Sequence, residues 1–414
     1  MPSESKKLPG VLMLLLSALG ILFSLLIVAG VVFSLPLQPQ SATSSVEQIS
    51  IASTGALALL VGLLQIPTLV LAIRSLRGKV SPVKHLSLFK AASIAGLVWL
   101  GLIAAGFFAV RAQAGWFLFV PLTLLAVAIP VWWLVEFGRR GLPRSTSFRE
   151  WGTLAIGLSA APLLIMMIEI SMVVVIILAV LVVFISRPDY LEQLSRITQN
   201  FGLYQGGIEQ LEQLIVELSR NPVIASALFL MIGVLAPLVE ELFKPMAIWF
   251  LLKRPLKDSE GFSLGLISGG AFALLESGGL VSQISLETWM QAVVLRAATG
   301  LLHIGLSGFV GYKLVSNWNR KRFGHAILYL FGAAGLHGTW NSLALLSSFS
   351  TAGAAAASAV EFQPSLGNIL SVAGMVAVFG FILFLVLRIN HTLRKALPNS
   401  QSSSALPSGS AITE

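Results

Sequence analysis

The chain contains no cysteine, which excludes disulfides and thiolate metal sites. It also has little charge. Only 11% of its 414 residues are Asp, Glu, Lys or Arg, against 56% hydrophobic ones, the balance of a polytopic membrane protein rather than a soluble globule. Acidic residues are scarcer than basic ones, giving a net charge of +9. That excess is not a nucleic-acid footprint, because the Lys and Arg residues cluster in short loops between apolar runs. No nucleic-acid partner is expected.

Apolar runs of spanning length occur at 11–35, 51–73, 91–110, 116–136, 152–186, 222–252, 262–282, 292–315, 326–348 and 366–388. They predict an all-α polytopic membrane helix bundle of about ten transmembrane helices. The first follows Lys6 and Lys7 and reads as a retained signal anchor. With ten helices, the clusters Arg74 to Lys90, Arg139 to Arg149, Lys253 to Lys257, Arg320 to Arg322 and Arg388 to Lys395 all fall on one side. The opposite loops 36–50 and 349–365 have no Lys or Arg. Both termini are therefore expected in the cytoplasm, and a bacterial cytoplasmic membrane is the expected location. The fifth run is long enough for two short spans, but one long or tilted helix keeps the basic loops on one side. Glu169 within it stands in no motif and reads as a structural carboxylate.

The chain divides at residue 150. Residues 1–150 form a four-span module with no ionisable residue at the centre of a span. Residues 151–390 form a six-span core, and 391–414 a Ser-rich disordered tail. Between the fifth and sixth spans, 187–221 reads as an amphipathic segment at the outer interface, with Ile208, Leu211, Ile215 and Leu218 opposite Glu209, Glu212 and Glu217. Residues 349–365, rich in Ala and Ser, read as an exposed loop.

The ionisable residues of the core are the informative ones. Glu240, Glu241 and Lys244 lie in one span, Glu276 in the next, His303 in the third and His337 in the fourth. A charge at the bilayer centre costs roughly 2.5–3.5 kcal/mol even on mild scales, so such residues are expected to meet around water, a metal or a substrate. Glu240 and Lys244 share a helix face, with Glu241 about 100° away. Of two carboxylates beside one ammonium, one is expected to be ionised and partnered and the other able to carry a proton for acid–base work. His337 and Asn341 share a face four residues apart. Glu276, His303 and His337 each lie roughly 16–21 Å from their helix starts, at about 1.5 Å per residue. Gly265, Gly269 and Ala273, then Gly300, Gly308 and Gly311, are small residues that let helices approach. Pro237 and Pro245 bracket the Glu pair and should free carbonyls and bend the helix. Two His and several Glu fit a divalent metal, zinc first, with three protein ligands and an open water position.

The order Glu240-Glu241-x-x-Lys244, Phe272-x-x-x-Glu276, a His in the next span, then His337 before Trp340-Asn341, resembles the PrsW family of intramembrane proteases. That family belongs with the CAAX-processing and bacteriocin-immunity proteases. The resemblance covers about residues 222–348. It implies hydrolysis of a peptide bond in a membrane-associated protein, of the anti-sigma-factor kind or another. It implies a catalytic set of Glu240, Glu241, Lys244 and Asn341, with one Glu as base and Asn341 as oxyanion donor. Glu276, His303 and His337 would hold the metal or stabilise the transition state. Two other readings start from the same residues. Gly305-Leu306-Ser307-Gly308 matches the Gly-x-Ser turn of rhomboid serine proteases, but leaves the Glu pair without a role. A proton-coupled transporter would use the Glu, His and Lys as a midplane relay.

Overall fold

The computed structural model describes residues 7–34, 42–79, 87–111, 116–192, 195, 218, 221–282, 288–357 and 365–397. Most of segment 187–221 and the tail beyond residue 397 lie outside the described residues. Helices account for nearly all of what is described. They are α1 (Leu8–Ser34), α2 (Ala42–Leu76), α3 (Phe89–Arg111), α4 (Trp116–Gly138), α5 (Ser147–Leu158), α6 (Ala160–Ile185), α7 (Pro222–Leu230), α8 (Ala236–Phe243), α9 (Met246–Leu251), α10 (Asp258–Val281), α11 (Trp289–Asn319), α12 (Phe323–Ala357) and α13 (Leu366–Lys395). A π turn, Met231–Leu235, joins α7 to α8. Nine stretches among the described residues are long and apolar enough to cross a membrane, and the 35-residue α12 is a further helix of spanning length. The bundle is all-α, as its composition predicts.

Burial sorts the helices. The most apolar windows of α10 and α11 are 72% and 67% buried, whereas that of α1 is 11% buried. The central pair is built for contact. A methyl group at Gly265 or Gly269 of α10 would run into the backbone of Ser307 or His303 on α11. With only hydrogen there, the two backbones touch and α11 is held at a fixed height beside α10. Gly300, expected to serve the same purpose, faces open space. Around this pair α4, α9 and α13 close a core that includes Val135, Ile248, Leu266, Leu306, Val310 and Ile382. A second core gathers on Trp289, whose Nε1 donates to Thr123 Oγ1 at 3.0 Å. The first four helices thus pack into the rest, chiefly through α4.

Two expectations are revised. The fifth run breaks at Ser159 (φ −134°, ψ −77°), separating the 12-residue α5 from the 26-residue α6. Pro162 has no N–H for the carbonyl of Leu158, and Ser159 Oγ instead bonds Ala155 O at 2.6 Å. At about 18 Å α5 is too short to cross, whereas α6 at about 39 Å is long enough. The run therefore holds one crossing helix and a short partner. Of the loop expected at 349–365, residues 349–357 are helical, because α12 continues to Ala357, and 358–364 lie outside the described residues. Ala-rich sequence extends a helix at least cost.

The basic stretches 139–149, 253–257 and 388–395 meet at one end of the bundle. Asn390 Nδ2 donates to Gly138 O and Arg140 O at 2.8 and 2.9 Å. Arg149 pairs with Glu260 at 2.8 Å and reaches Pro255 O. Glu260 also accepts from the Lys257 N–H, which closes the N-terminus of α10. Buried Glu136 holds Arg144 at 2.8 Å, and Arg139 as well.

Candidate active site

The chain Pro237 to Pro245 makes one short helix and its exit. Pro237 sits in the first turn of α8, directly after the π turn, and α8 ends where Lys244 and Pro245 turn into α9. Glu240 and Glu241 lie on the last turn of α8, and both are buried. Lys244, fully buried, reaches both, because i+3 and i+4 flank one face of a helix. Its Nζ lies 2.8 Å from Glu240 Oε2 and 2.9 Å from Glu241 Oε1. It also lies 2.8 Å from His303 Nδ1 and 4.3 Å above the Phe272 ring. The carbonyl of Lys244, freed at this turn, accepts from Ser268 Oγ of α10.

The two histidines meet edge to face, ring centroids 4.9 Å apart. Their partners fix their tautomers. An ammonium only donates, so His303 Nδ1 accepts from Lys244 and its hydrogen is on Nε2; Glu276 Oε2 lies 2.5 Å from that nitrogen, out of line for a hydrogen bond. Arg296 Nη2 holds the same carboxylate at 2.8 Å, and its Nε donates to Ser277 Oγ. His337 Nδ1 lies 3.0 Å from Glu241 Oε1. Glu241 also accepts from Lys244 and is a carboxylate, so His337 Nδ1 is the donor in this contact. His337 Nε2 faces Glu240 Oε2 at 3.9 Å. Glu240, His303 and His337 offer three ligand atoms, all within 4.8 Å of one another.

The π turn explains how α12 reaches this group. In an i to i+5 pattern the carbonyl of Ile232 looks for the N–H of residue 237, which is a proline. Asn341 Nδ2 supplies the missing donor at 3.1 Å. Gly233 and Gly338 make the crossing possible, since a methyl group on Gly338 would collide with Gly233 O. His337 is thereby pressed against the last turn of α8. The bend expected from the prolines is a π turn before the Glu pair and a helix break at Lys244–Pro245 after it.

The sequence-predicted residues are thus brought together, in a particular order. Glu240, Glu241, Lys244, His303 and His337 form the cluster. Glu276 stands behind His303, on its far nitrogen. Asn341 stands behind His337 and donates to the π turn. Glu169 of α6 lies within electrostatic reach of Glu240, Lys244 and Glu276, and its buried Oε1 has no hydrogen-bond partner. It was expected as a partner-satisfied structural carboxylate, and that oxygen is not satisfied. Arg296 is the residue that sequence reasoning undervalued; its place two helical turns before His303 was the available signal. Ser307 is fully buried against α10, and its Oγ has no partner, so neither histidine serves it as a base.

The family model described as PrsW family intramembrane metalloprotease matches residues 151–387. No curated protein and no solved structure matches the chain.

Proposed function

The chain belongs to the PrsW family of intramembrane metalloproteases, and from that premise we propose that it hydrolyses a peptide bond of a membrane-anchored protein at the Glu240–His337 cluster. One observation carries the reading: His337 Nε2 and Glu240 Oε2 face each other at 3.9 Å, and with His303 they offer three ligand atoms within 4.8 Å of one another. Glu240, His303 and His337 would hold a divalent ion, zinc first, as a three-residue set that leaves a position open. Charge supports the fit. Glu240, Glu241 and Glu276 gather with Lys244 and Arg296, three carboxylates against two cations. When bound, such an ion supplies Lewis-acid activation of water.

The residues divide the remaining work. Glu240, the less enclosed carboxylate of the pair, would face the ion through one oxygen and with the other take the proton of the attacking water and return it to the leaving amine. Glu241 orients His337 through Nδ1, and Glu276, steadied by Arg296, orients His303 through Nε2. In this reading Glu276 supports a ligand instead of being one. Lys244 balances both Glu side chains, and its ammonium must turn away for His303 Nδ1 to reach an ion. Asn341 has a second N–H beyond the one given to Ile232, available to a substrate carbonyl. Residues 151–390 act as the catalytic core and 1–150 as an accessory membrane module.

The test is metal content together with cleavage of a single-span substrate by detergent-purified protein. Near-stoichiometric zinc, cleavage lost on chelation and regained with zinc, and no cleavage by Glu240→Gln are the expected results. Cleavage by metal-free protein would remove the ion from the mechanism. Cleavage by Glu240→Gln would place the site elsewhere.

A further inference from the structure

Two adjoining cavities lie between the first four helices and the rest, lined by none of the residues of the Glu240 cluster. The larger, about 440 Å³, is bounded by α2, α4, α5 and α10 through Leu60, Ala128, Trp132, Leu154 and Ile267. That volume falls within the roughly 300–1,000 Å³ of pockets that hold small molecules. Trp132, 38% exposed, carries its wall to the outer surface of the bundle. The chamber is apolar except at its rim, where Glu136, Arg139, Arg144 and Glu150 are shared with a second cavity of about 150 Å³. Arg140 and Ser263 complete the polar one.

The polar cavity has unused hydrogen-bonding groups. Arg139 Nε, Glu150 Oε1 and Ser263 Oγ are buried atoms without partners, and Ser263 is only 2% exposed. Glu136 and Glu150 pair with Arg139 and Arg144. Arg140 stacks only on Phe89 and Phe137, with no carboxylate at ion-pair distance among the described residues. Three guanidinium groups against two carboxylates leave one positive charge. A ligand complementary to these groups would bring one negative charge, acceptor oxygens for Arg139, Arg140 and Ser263, and a hydroxyl donor for Glu150. It would also bring a hydrocarbon chain for the apolar chamber.

The geometry points to a built site for an anionic phospholipid with a hydroxyl-bearing headgroup, the tail between α4 and α10 and the phosphate at Arg139, Arg140 and Ser263. Basic pockets between membrane helices take such headgroups by charge and hydrogen bonding. A free anion would satisfy Arg140 and leave the chamber unfilled. The tail would rest on α10, the helix that carries Glu276.

The experiment reads lipid and not cleavage, so it stands apart from the hydrolytic reading. The full chain, stripped of lipid in maltoside micelles, is titrated with radiolabelled phosphatidylglycerol and challenged with phosphatidylcholine, diacylglycerol or inorganic phosphate. About one lipid per chain is expected. Unlabelled phosphatidylglycerol should displace it at concentrations roughly tenfold below phosphatidylcholine, the worth of one charge-assisted contact. Diacylglycerol and phosphate should each fail. Arg140→Ala should weaken binding roughly tenfold, and Ala128→Phe, which fills the chamber, should abolish it, both with unchanged elution and unfolding midpoint. The competition series needs no variant and so decides the matter even if one fails to fold. Equal displacement by phosphatidylcholine would reduce the bound lipid to the ordinary annulus. Displacement by phosphate alone would leave an anion site with no tail, and displacement by diacylglycerol an apolar pocket with no headgroup. Each of the three overturns the proposal.

Discussion

Nζ of Lys244 lies 2.8 Å from Nδ1 of His303, joining α8 to α11 through a group that can only donate. The same ammonium balances Glu240 and Glu241 and leaves the ring hydrogen of His303 on Nε2, beside Glu276. Its removal leaves two buried carboxylates uncompensated. Lys244→Met is expected to destabilise the protein by about 3–5 kcal/mol, the usual penalty for breaking a buried pair. The unfolding midpoint in detergent measures it, and an unshifted midpoint would mean that the carboxylates are balanced by something else.

Glu240 and Glu241 should separate in their effects. Glu241 is completely enclosed and bonds both Lys244 and His337, so Glu241→Gln should lower stability and cleavage together. Glu240→Gln should keep the wild-type midpoint while cleavage falls at least about 100-fold, the range of lost acid–base catalysis. Equal destabilisation by the two substitutions would contradict the division of roles.

Arg296 touches the cluster only through Glu276. Arg296→Ala should lower zinc affinity or kcat by about 10–100-fold, as loss of an orienting partner does, with KM little changed. Arg296→Lys should restore part of the loss, since a point charge can still reach the carboxylate. A KM effect without a kcat effect would mark Arg296 as a substrate contact instead.

The glycines give a contrast on one helix pair. Gly269→Ala places a methyl against the backbone of His303 and Ile304, so α11 must move and carry the imidazole with it. Overpacking of this kind costs about 1–3 kcal/mol, and cleavage should fall further than stability. Gly300→Ala, facing open space, should be neutral or slightly stabilising. Thermal midpoints and cleavage rates of the two variants test the pair, and similar outcomes would refute it.

Much of this architecture is written in local sequence. Spanning length follows from apolar runs, because a helix must satisfy its own backbone in lipid. The kinship of Glu240 with Lys244, and of His337 with Asn341, follows from helical periodicity. The Pro pair predicts a broken helix, and Gly265 and Gly269 a close crossing. Periodicity does not say how far a helix is turned about its axis or at what height it meets its neighbours. Packing decided that Glu241, not Glu240, grips His337, that Glu276 lies behind His303, and that Ser159 rather than a point near Glu169 breaks the fifth run. It also joined Glu136 to Arg139 and Arg144 around two cavities that no motif announces. The sequence by itself determined which groups must be buried together, since lone charges in a bilayer are too costly to persist. Only the tertiary structure decided which atom faces which, because that depends on backbone contacts between residues far apart in the chain, such as Gly233 with Gly338 and Gly269 with His303.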